Sequence, residues 1–334
     1  MIRIGVIGFG YWGPNIVRNF MSASGSTVVA VCDFDSKRLK MAGAMYPALH
    51  LTQEPLDLIN DPTLDLIAVV TPVFTHYELA GNALKNGKHV FVEKPFASTS
   101  AQAEELIELA EKAGLRIAVD HTFLFHSAVR AIKKFVQEDT LGKIYYYDST
   151  RVNLGLFQQD VNVVWDLAPH DFSIMDYVLT EMPEAVAAHG MGHVKSSQQD
   201  VAYVTVFFPD SLIAHFNFNW LSPVKVRRTM IGGEKQMCLW DDLVGDEKIK
   251  LYDKGISVTT KEGYYKLLVE YRKGDMHAPF LEHVEPLAEQ ARYVIDAISA
   301  NKPLINDGRA GLRVVKLLEA CDESMRNGGR IVKL

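Results

Sequence analysis

From Arg3 onward, short runs of aliphatic and β-branched residues alternate with longer stretches whose apolar positions recur every three or four residues. The runs RIGVIG (3–8), TVVAVC (27–32), LDLIAVV (64–70), HVFVE (89–93) and RIAVD (116–120) are too short and too apolar for surface helices, and they predict buried strands. Between the last two, TSAQAEELIELAEKAG (99–114) places Leu106, Ile107 and Ala110 on one face of a helix. Thr99 with Gln102 forms a capping-box start to that helix, and Gly114 ends it. Strand, helix and strand repeating in this way predict a parallel sheet covered by helices, a doubly wound α/β domain.

After about residue 140 the period changes. KIYYYDSTR (143–151), AYVTVFF (202–208) and LIAHFNFNW (212–220) alternate with period two, and in the last Leu212, Ala214, Phe216, Phe218 and Trp220 share a face. These strands follow one another without helices until HVEPLAEQARYVIDAIS (283–299), which predicts an α+β domain with a large, mostly antiparallel open sheet. The expected domains are 1–121 and 122–334, with the final helices free to return to the first. Such a sheet exposes aromatic residues such as Tyr145, Tyr147 or Trp220 on one side or the other, and it predicts a homodimer or homotetramer.

A length of 334 residues suits two domains. With 48% hydrophobic and 23% charged residues, disordered, collagen-like and fibrous classes are excluded. Lys and Arg number 35 against 41 Asp and Glu, giving a net charge of −6 with no basic stripe, so nucleic acid is not an expected partner. No uncharged stretch approaches the ~18 apolar residues of a membrane span. The first apolar run is interrupted by Gly5, Gly8 and Gly10, unlike a signal peptide, and a cytoplasmic protein is expected. Cys32, Cys238 and Cys321 form no CxxC pair and read as buried thiols. The two glycines of HGMGH argue against a helix that would align His189 and His193 on a metal, so no metal is expected.

Candidate chemistry begins at Gly8-Phe9-Gly10-Tyr11-Trp12-Gly13, a GxGxxG that follows a predicted strand and opens a predicted helix with Pro14 in its first turn. Gly8 permits a tight turn, Gly10 a close approach of backbone to pyrophosphate, and Gly13 tight helix–sheet packing. Asp33 ends the second strand 20 residues after Gly13, where a carboxylate accepts hydrogen bonds from ribose hydroxyls and repels a 2′-phosphate. NAD is therefore expected over NADP, with Arg38 softening that preference. Thr71, Pro72 and His76 follow the strand at 64–70 and are expected beside the nicotinamide. Glu93-Lys94-Pro95 lies past the next strand, where proline keeps Lys94 out of the α region and lets its ammonium point into the crevice.

Further along, Trp165-Asp166-Leu167-Ala168-Pro169-His170-Asp171 precedes an apolar helical run. Asp166 is the expected N-cap, with Pro169 in the first turn and His170 on the same face, kept neutral by the helix dipole. Asp171 is expected to support the helix start or to sit behind the residues that touch substrate.

Taken together, GFGYWG, TPVFTH and EKP at these spacings resemble the Gfo/Idh/MocA oxidoreductase family, and the segment from Lys302 to Leu334 is also similar to its members. The resemblance implies a cofactor-binding first domain and a second domain whose open sheet builds an oligomer interface. It implies a lysine, here Lys94, contacting nicotinamide and substrate, and an aspartate and histidine, here Asp166 and His170, facing it. His170 would act as general base, Lys94 would stabilise the developing alkoxide, and Asp166 would bind the substrate or the base. His121, Phe125, Arg151 and Asn153 are further expected lining. The start GYWGPN and WDLAPHD look most like members acting on sugars or nucleotide sugars. Inositol or another cyclic polyol is the second candidate substrate, and a non-catalytic NAD-binding regulator is the third reading.

Overall fold

The structure, a computed structural model, describes residues 1–155, 157, 158, 160–195, 198–258 and 269–334. It forms two compact units, one of Met1–His126 with Val284–Lys316, the other of Ser127–His283 with Leu317–Leu334. The division falls after His126, and the stretch Val284–Lys316, numbered with the second domain but free in the sequence reading to return to the first, belongs to the first unit.

In the first unit, β1 (Ile2–Ile7), β2 (Ser26–Cys32), β3 (His50–Thr52), β4 (Leu66–Val69), β5 (His89–Val92) and β6 (Ile117–Val119) form a parallel sheet in the order β3-β2-β1-β4-β5-β6. The order reverses between β1 and β4, and ligands of such sheets bind beyond the carboxyl ends of the strands at that reversal. Five helices alternate with the strands: α1 (Gly13–Ser22), α2 (Ser36–Met45), α3 (Pro55–Ile59), α4 (His76–Lys85) and α5 (Ser100–Ala113). As the capping box predicts, the Thr99 side chain accepts the Gln102 N–H, and Gly114 closes α5 at φ 68°. The first unit also holds α8 (Pro286–Ser299), whose Val294 and Ile295 join Ile4, Phe20 and Phe91 in one core. That burial of apolar surface is the reason the segment belongs here.

The second unit holds α6 (Ser127–Gln137), α7 (Val163–Val178) and a nine-stranded sheet. Its strands are β7 (Ile144–Leu154), β8 (Ala185–Met191), β9 (Val201–Phe207), β10 (Ile213–Asn219), β11 (Leu221–Gly233), β12 (Met237–Asp241), β13 (Ile249–Val258), β14 (Val269–His277) and β15 (Val332–Lys333). The helix α9 (Gly308–Arg326) contributes residues to both units. All strand pairs of this sheet are antiparallel except β7 with β10. Leu212, Ala214, Phe216, Phe218 and Trp220 are all buried, as their alternation predicts, and Phe172 of α7 meets Phe216 edge-on at 5.1 Å. Tyr147 and Trp220 are buried with them, against the expectation that they are surface aromatics; Tyr145 is exposed. On the outward face the large exposed residues are instead Tyr203, Ile213 and Met230. Among the described residues no helix is long and apolar enough to cross a membrane. Cys32, Cys238 and Cys321 are free and buried.

Candidate active site

The Gly-rich turn between β1 and α1 is built by steric necessity. Gly8 has φ +102°, and a Cβ there would lie 2.3 Å from the Val70 carbonyl oxygen. A Cβ on Gly13 would lie 2.6 Å from the Gly8 carbonyl oxygen. At Gly10 the nearest atom would be Arg38 Nη1 at 3.5 Å, so this glycine leaves bare backbone for a partner. No side chain caps α1, and an uncapped helix start with Pro14 in its first turn suits an anion. Asp33, buried at the end of β2, accepts the Phe9 N–H at 2.7 Å through one oxygen and the Asp35 N–H at 2.9 Å through the other. Arg38 Nη1 stands 3.6 Å from that carboxylate. Tyr11 and Trp12 are exposed, with rings edge-to-face at 5.4 Å. Phe9 departs from expectation: its side chain is fully buried in the core and supports the turn from below. These residues fit a dinucleotide, with close backbone at the turn and a carboxylate one strand away.

The loops after β4 and β5 are tied together by His76. Its ring is fully buried, with Nε2 2.8 Å from the Thr71 carbonyl oxygen and Nδ1 2.9 Å from that of Pro95, and burial holds its pKa below the ordinary range. His76 thus braces two loops that sequence alone assigned to the nicotinamide. Thr71 Oγ1 bonds Thr75 Oγ1 at 2.6 Å, and Pro72 precedes a short 3-10 turn, Val73–Thr75. The Lys94–Pro95 peptide bond is cis.

Behind Lys94 lies a second acid that the sequence reading passed over, Asp120. Its signal was available: HVFVE and RIAVD both end a short apolar run with a carboxylate. Glu93 and Asp120 are buried and their side chains hydrogen-bond to each other; desolvation raises both pKa values, and for Glu93 the charge of Asp120 adds to it. His121 and Phe125, expected as lining, are interior instead. Burial pushes the His121 imidazole down to about 3, and among the described residues neither of its ring nitrogens has a hydrogen-bond partner.

In the second unit, α7 starts earlier than expected. Asn162, not Asp166, is the N-cap, accepting the N–H groups of Val164 at 3.0 Å and Trp165 at 3.1 Å. Asp166 therefore sits inside the first turn, and Pro169 lies within the helix. His170 is beyond the first turn, where the dipole argument no longer reaches it. The one-face expectation holds: from Val163 to Met175 all residues are buried except Asp166, Leu167 and His170. Asp166 Oδ2 accepts the Trp220 indole N–H at 3.1 Å. An open recess of about 490 Å³ is lined by Asn153, Gln158, Asp166, Leu167 and Trp220. Arg151 is not among its lining. It is buried in an ion pair with Asp171, whose other oxygen accepts Ser149 Oγ at 2.8 Å, so Asp171 anchors α7 to β7 instead of starting the helix. His193, from the HGMGH segment, pairs with Asp200 at 2.7 Å.

Comparison with known proteins agrees with this division. Residues 2–121 match the oxidoreductase family with the NAD-binding Rossmann fold, and residues 129–238 match the GFO/IDH/MocA C-terminal domain. An uncharacterized oxidoreductase of Escherichia coli (strain K12) is 33% identical over 192 residues, a match spanning 54% of this chain and 53% of the relative. UDP-N-acetylglucosamine 3-dehydrogenase of Acidithiobacillus ferrooxidans is 26% identical over 318 residues, covering 94% of each. An oxidoreductase from Agrobacterium radiobacter, solved in complex with NAD+, L-tartaric acid and magnesium, shares the fold at TM-score 0.84 and 17% identity, over 99% of this chain and 98% of that one. On the two family matches, the chain belongs to the GFO/IDH/MocA oxidoreductases, with an NAD-binding Rossmann domain at its start.

Proposed function

We propose that this chain is an NAD-dependent dehydrogenase acting on a secondary hydroxyl of a sugar or nucleotide sugar, with Lys94 and His170 as its polar catalytic pair. The observation that carries the reading is the stripe on α7: two titratable side chains, Asp166 and His170, are left half-exposed with Leu167 on a helix otherwise buried from Val163 to Met175. A helix that served packing alone would place apolar residues inward and solvated ones outward without such a restricted polar set. The neighbouring recess, with Asn153, Gln158 and Asp166 beside Trp220, offers hydrogen bonds around an aromatic wall, the chemistry that a polyhydroxylated ring takes.

The backbone at Gly8, Gly10 and Gly13 and the Asp33 carboxylate would hold NAD, which supplies the hydride acceptor when bound. Asp33 favours a ribose with a free 2′-hydroxyl over a 2′-phosphate, and Arg38 beside it tempers that preference. His170 accepts the proton of the substrate hydroxyl as the carbon gives up its hydride. The Lys94 ammonium stabilises the negative charge that develops on oxygen. Asp166, steadied by Trp220, orients the substrate. The dehydrogenase relative that acts on UDP-N-acetylglucosamine matches over 94% of this chain, which supports a nucleotide sugar as the first substrate to try. The outward sheet face, with Tyr203, Ile213 and Met230 exposed, would join copies into a homodimer or homotetramer.

A panel of nucleotide sugars, free sugars and inositols, scored by NADH absorbance, tests the reading. Turnover of a sugar or nucleotide sugar supports it; turnover confined to inositols moves the substrate class, and tight NAD binding with no turnover favours a regulator.

A further inference from the structure

β5 and β6 run side by side with Val92 paired to Val119, so the next residues, Glu93 and Asp120, emerge together at the carboxyl edge of the sheet. They are 7% and 5% exposed. Their backbones are fixed, since the Glu93 N–H donates to the Val69 carbonyl at 2.9 Å and the Asp120 N–H to the Val92 carbonyl at 2.7 Å. The sheet edge therefore sets the two side chains out from neighbouring positions into the same buried space. Two carboxylates side by side repel each other, and burial adds to the cost of ionising both. The second ionisation is strongly disfavoured.

The groups around them are few. The Lys94 ammonium acts on both acids, and its backbone N–H donates to Glu93 Oε2 at 3.0 Å. Thr122 Oγ1 donates to Asp120 Oδ1, and Gln290 of α8 also hydrogen-bonds Asp120. His121 is next in the chain and Arg313 of α9 acts on it; burial keeps that imidazole uncharged, so it supplies no counter-charge.

We infer that Glu93 and Asp120 form a carboxyl dyad that holds one proton between them at neutral pH and presents Lys94 with a single shared negative charge. They are positioning residues for the Lys94 ammonium. Fully protonated, the dyad would give Lys94 no charge of its own; fully ionised, it would draw the ammonium back with two. The shared proton is argued from the paired strand ends and the burial of both acids, whereas its catalytic consequence rests on the role proposed above for Lys94.

Infrared difference spectroscopy of the full chain, without cofactor or substrate, reads the proton directly. The wild-type protein should show the carbonyl stretch of a protonated carboxyl at pH 7, shifted in D2O. That band should shift or vanish in Glu93→Gln and equally in Asp120→Asn, because each variant removes half of the pair that holds the proton. Its absence from the wild type overturns the dyad without any variant having to fold. A band left unchanged in either variant assigns the proton to the other acid alone and overturns the sharing. On a turned-over substrate, the double variant, which removes the charge of the dyad from Lys94, should lose about tenfold or more in kcat while its KM for NAD stays within about twofold. An unchanged kcat overturns the positioning role. If no substrate turns over, the infrared result still stands or falls alone, so failure of the dehydrogenase reading and failure of the dyad are told apart.

Discussion

At the level of single residues, the proposed chemistry rests on Lys94 and His170. Lys94→Ala and His170→Ala should each lower kcat by about 10²- to 10⁴-fold on the true substrate, the usual worth of a general base or a charge at the reacting oxygen. A loss below threefold in either would remove that residue from the mechanism. At the other end of the cofactor, Asp33→Ser should raise KM for NAD and lower it for NADP, because the carboxylate that excludes a 2′-phosphate is gone while Arg38 remains 3.6 Å from its former position. Steady-state kinetics with both cofactors check this. His121 makes a separate prediction about stability. Its folded pKa of about 3 lies below the ordinary histidine value of about 6.5. The unfolded chain therefore takes up a proton first, and this contribution to stability is present above pH 6.5 and lost as pH falls toward 3. Glu93 and Asp120, with raised values, run in the opposite direction. His121→Phe should therefore lose about 2 kcal/mol less between pH 7 and pH 5 than wild type does, measured by urea unfolding at both pH values. Equal losses would show that His121 titrates normally in the folded protein.

At the level of elements, legibility tracked how local the determinant is. The helix α5 could be read with its ends because Thr99, Gln102 and Gly114 act on backbone within one turn. Thr99→Ala should accordingly cost about 1 kcal/mol, seen as a lowered Tm. The start of α7 was misplaced because Asn162 and Asp166 are equally good caps locally. What decides is the burial of Val163, Val164 and Trp165, which favours the longer helix. β3 escaped the pattern because three residues, only partly buried, carry too little periodicity to show. The Gly-rich turn was legible since its glycines answer to the backbone itself, and Gly13→Ala, placing a carbon 2.6 Å from the Gly8 carbonyl oxygen, should abolish NAD binding in a calorimetric titration.

For the whole molecule, the sequence pattern was enough for a parallel sheet followed by a mostly antiparallel one. It left open a return of the final helices to the first unit but could not bound it to Val284–Lys316, since no local signal says that Val294 and Ile295 pack with Ile4 and Phe20. For the same reason Arg151 and His121 looked available from their places after strands, while the fold put one against Asp171 and the other inside the core. The exposed Tyr203, Ile213 and Met230 predict a dimer or tetramer in sedimentation at micromolar concentration, which Tyr203→Lys with Ile213→Lys should dissociate. The central claim is hydride transfer from a sugar carbon with Lys94 assisting, and isotope transfer tests it most directly. With a substrate deuterated at the reacting carbon, the wild-type protein should place deuterium on the nicotinamide ring of NAD, at a rate that Lys94→Ala reduces by at least about 10²-fold. NAD bound tightly yet free of deuterium after incubation with the whole substrate panel would contradict the account.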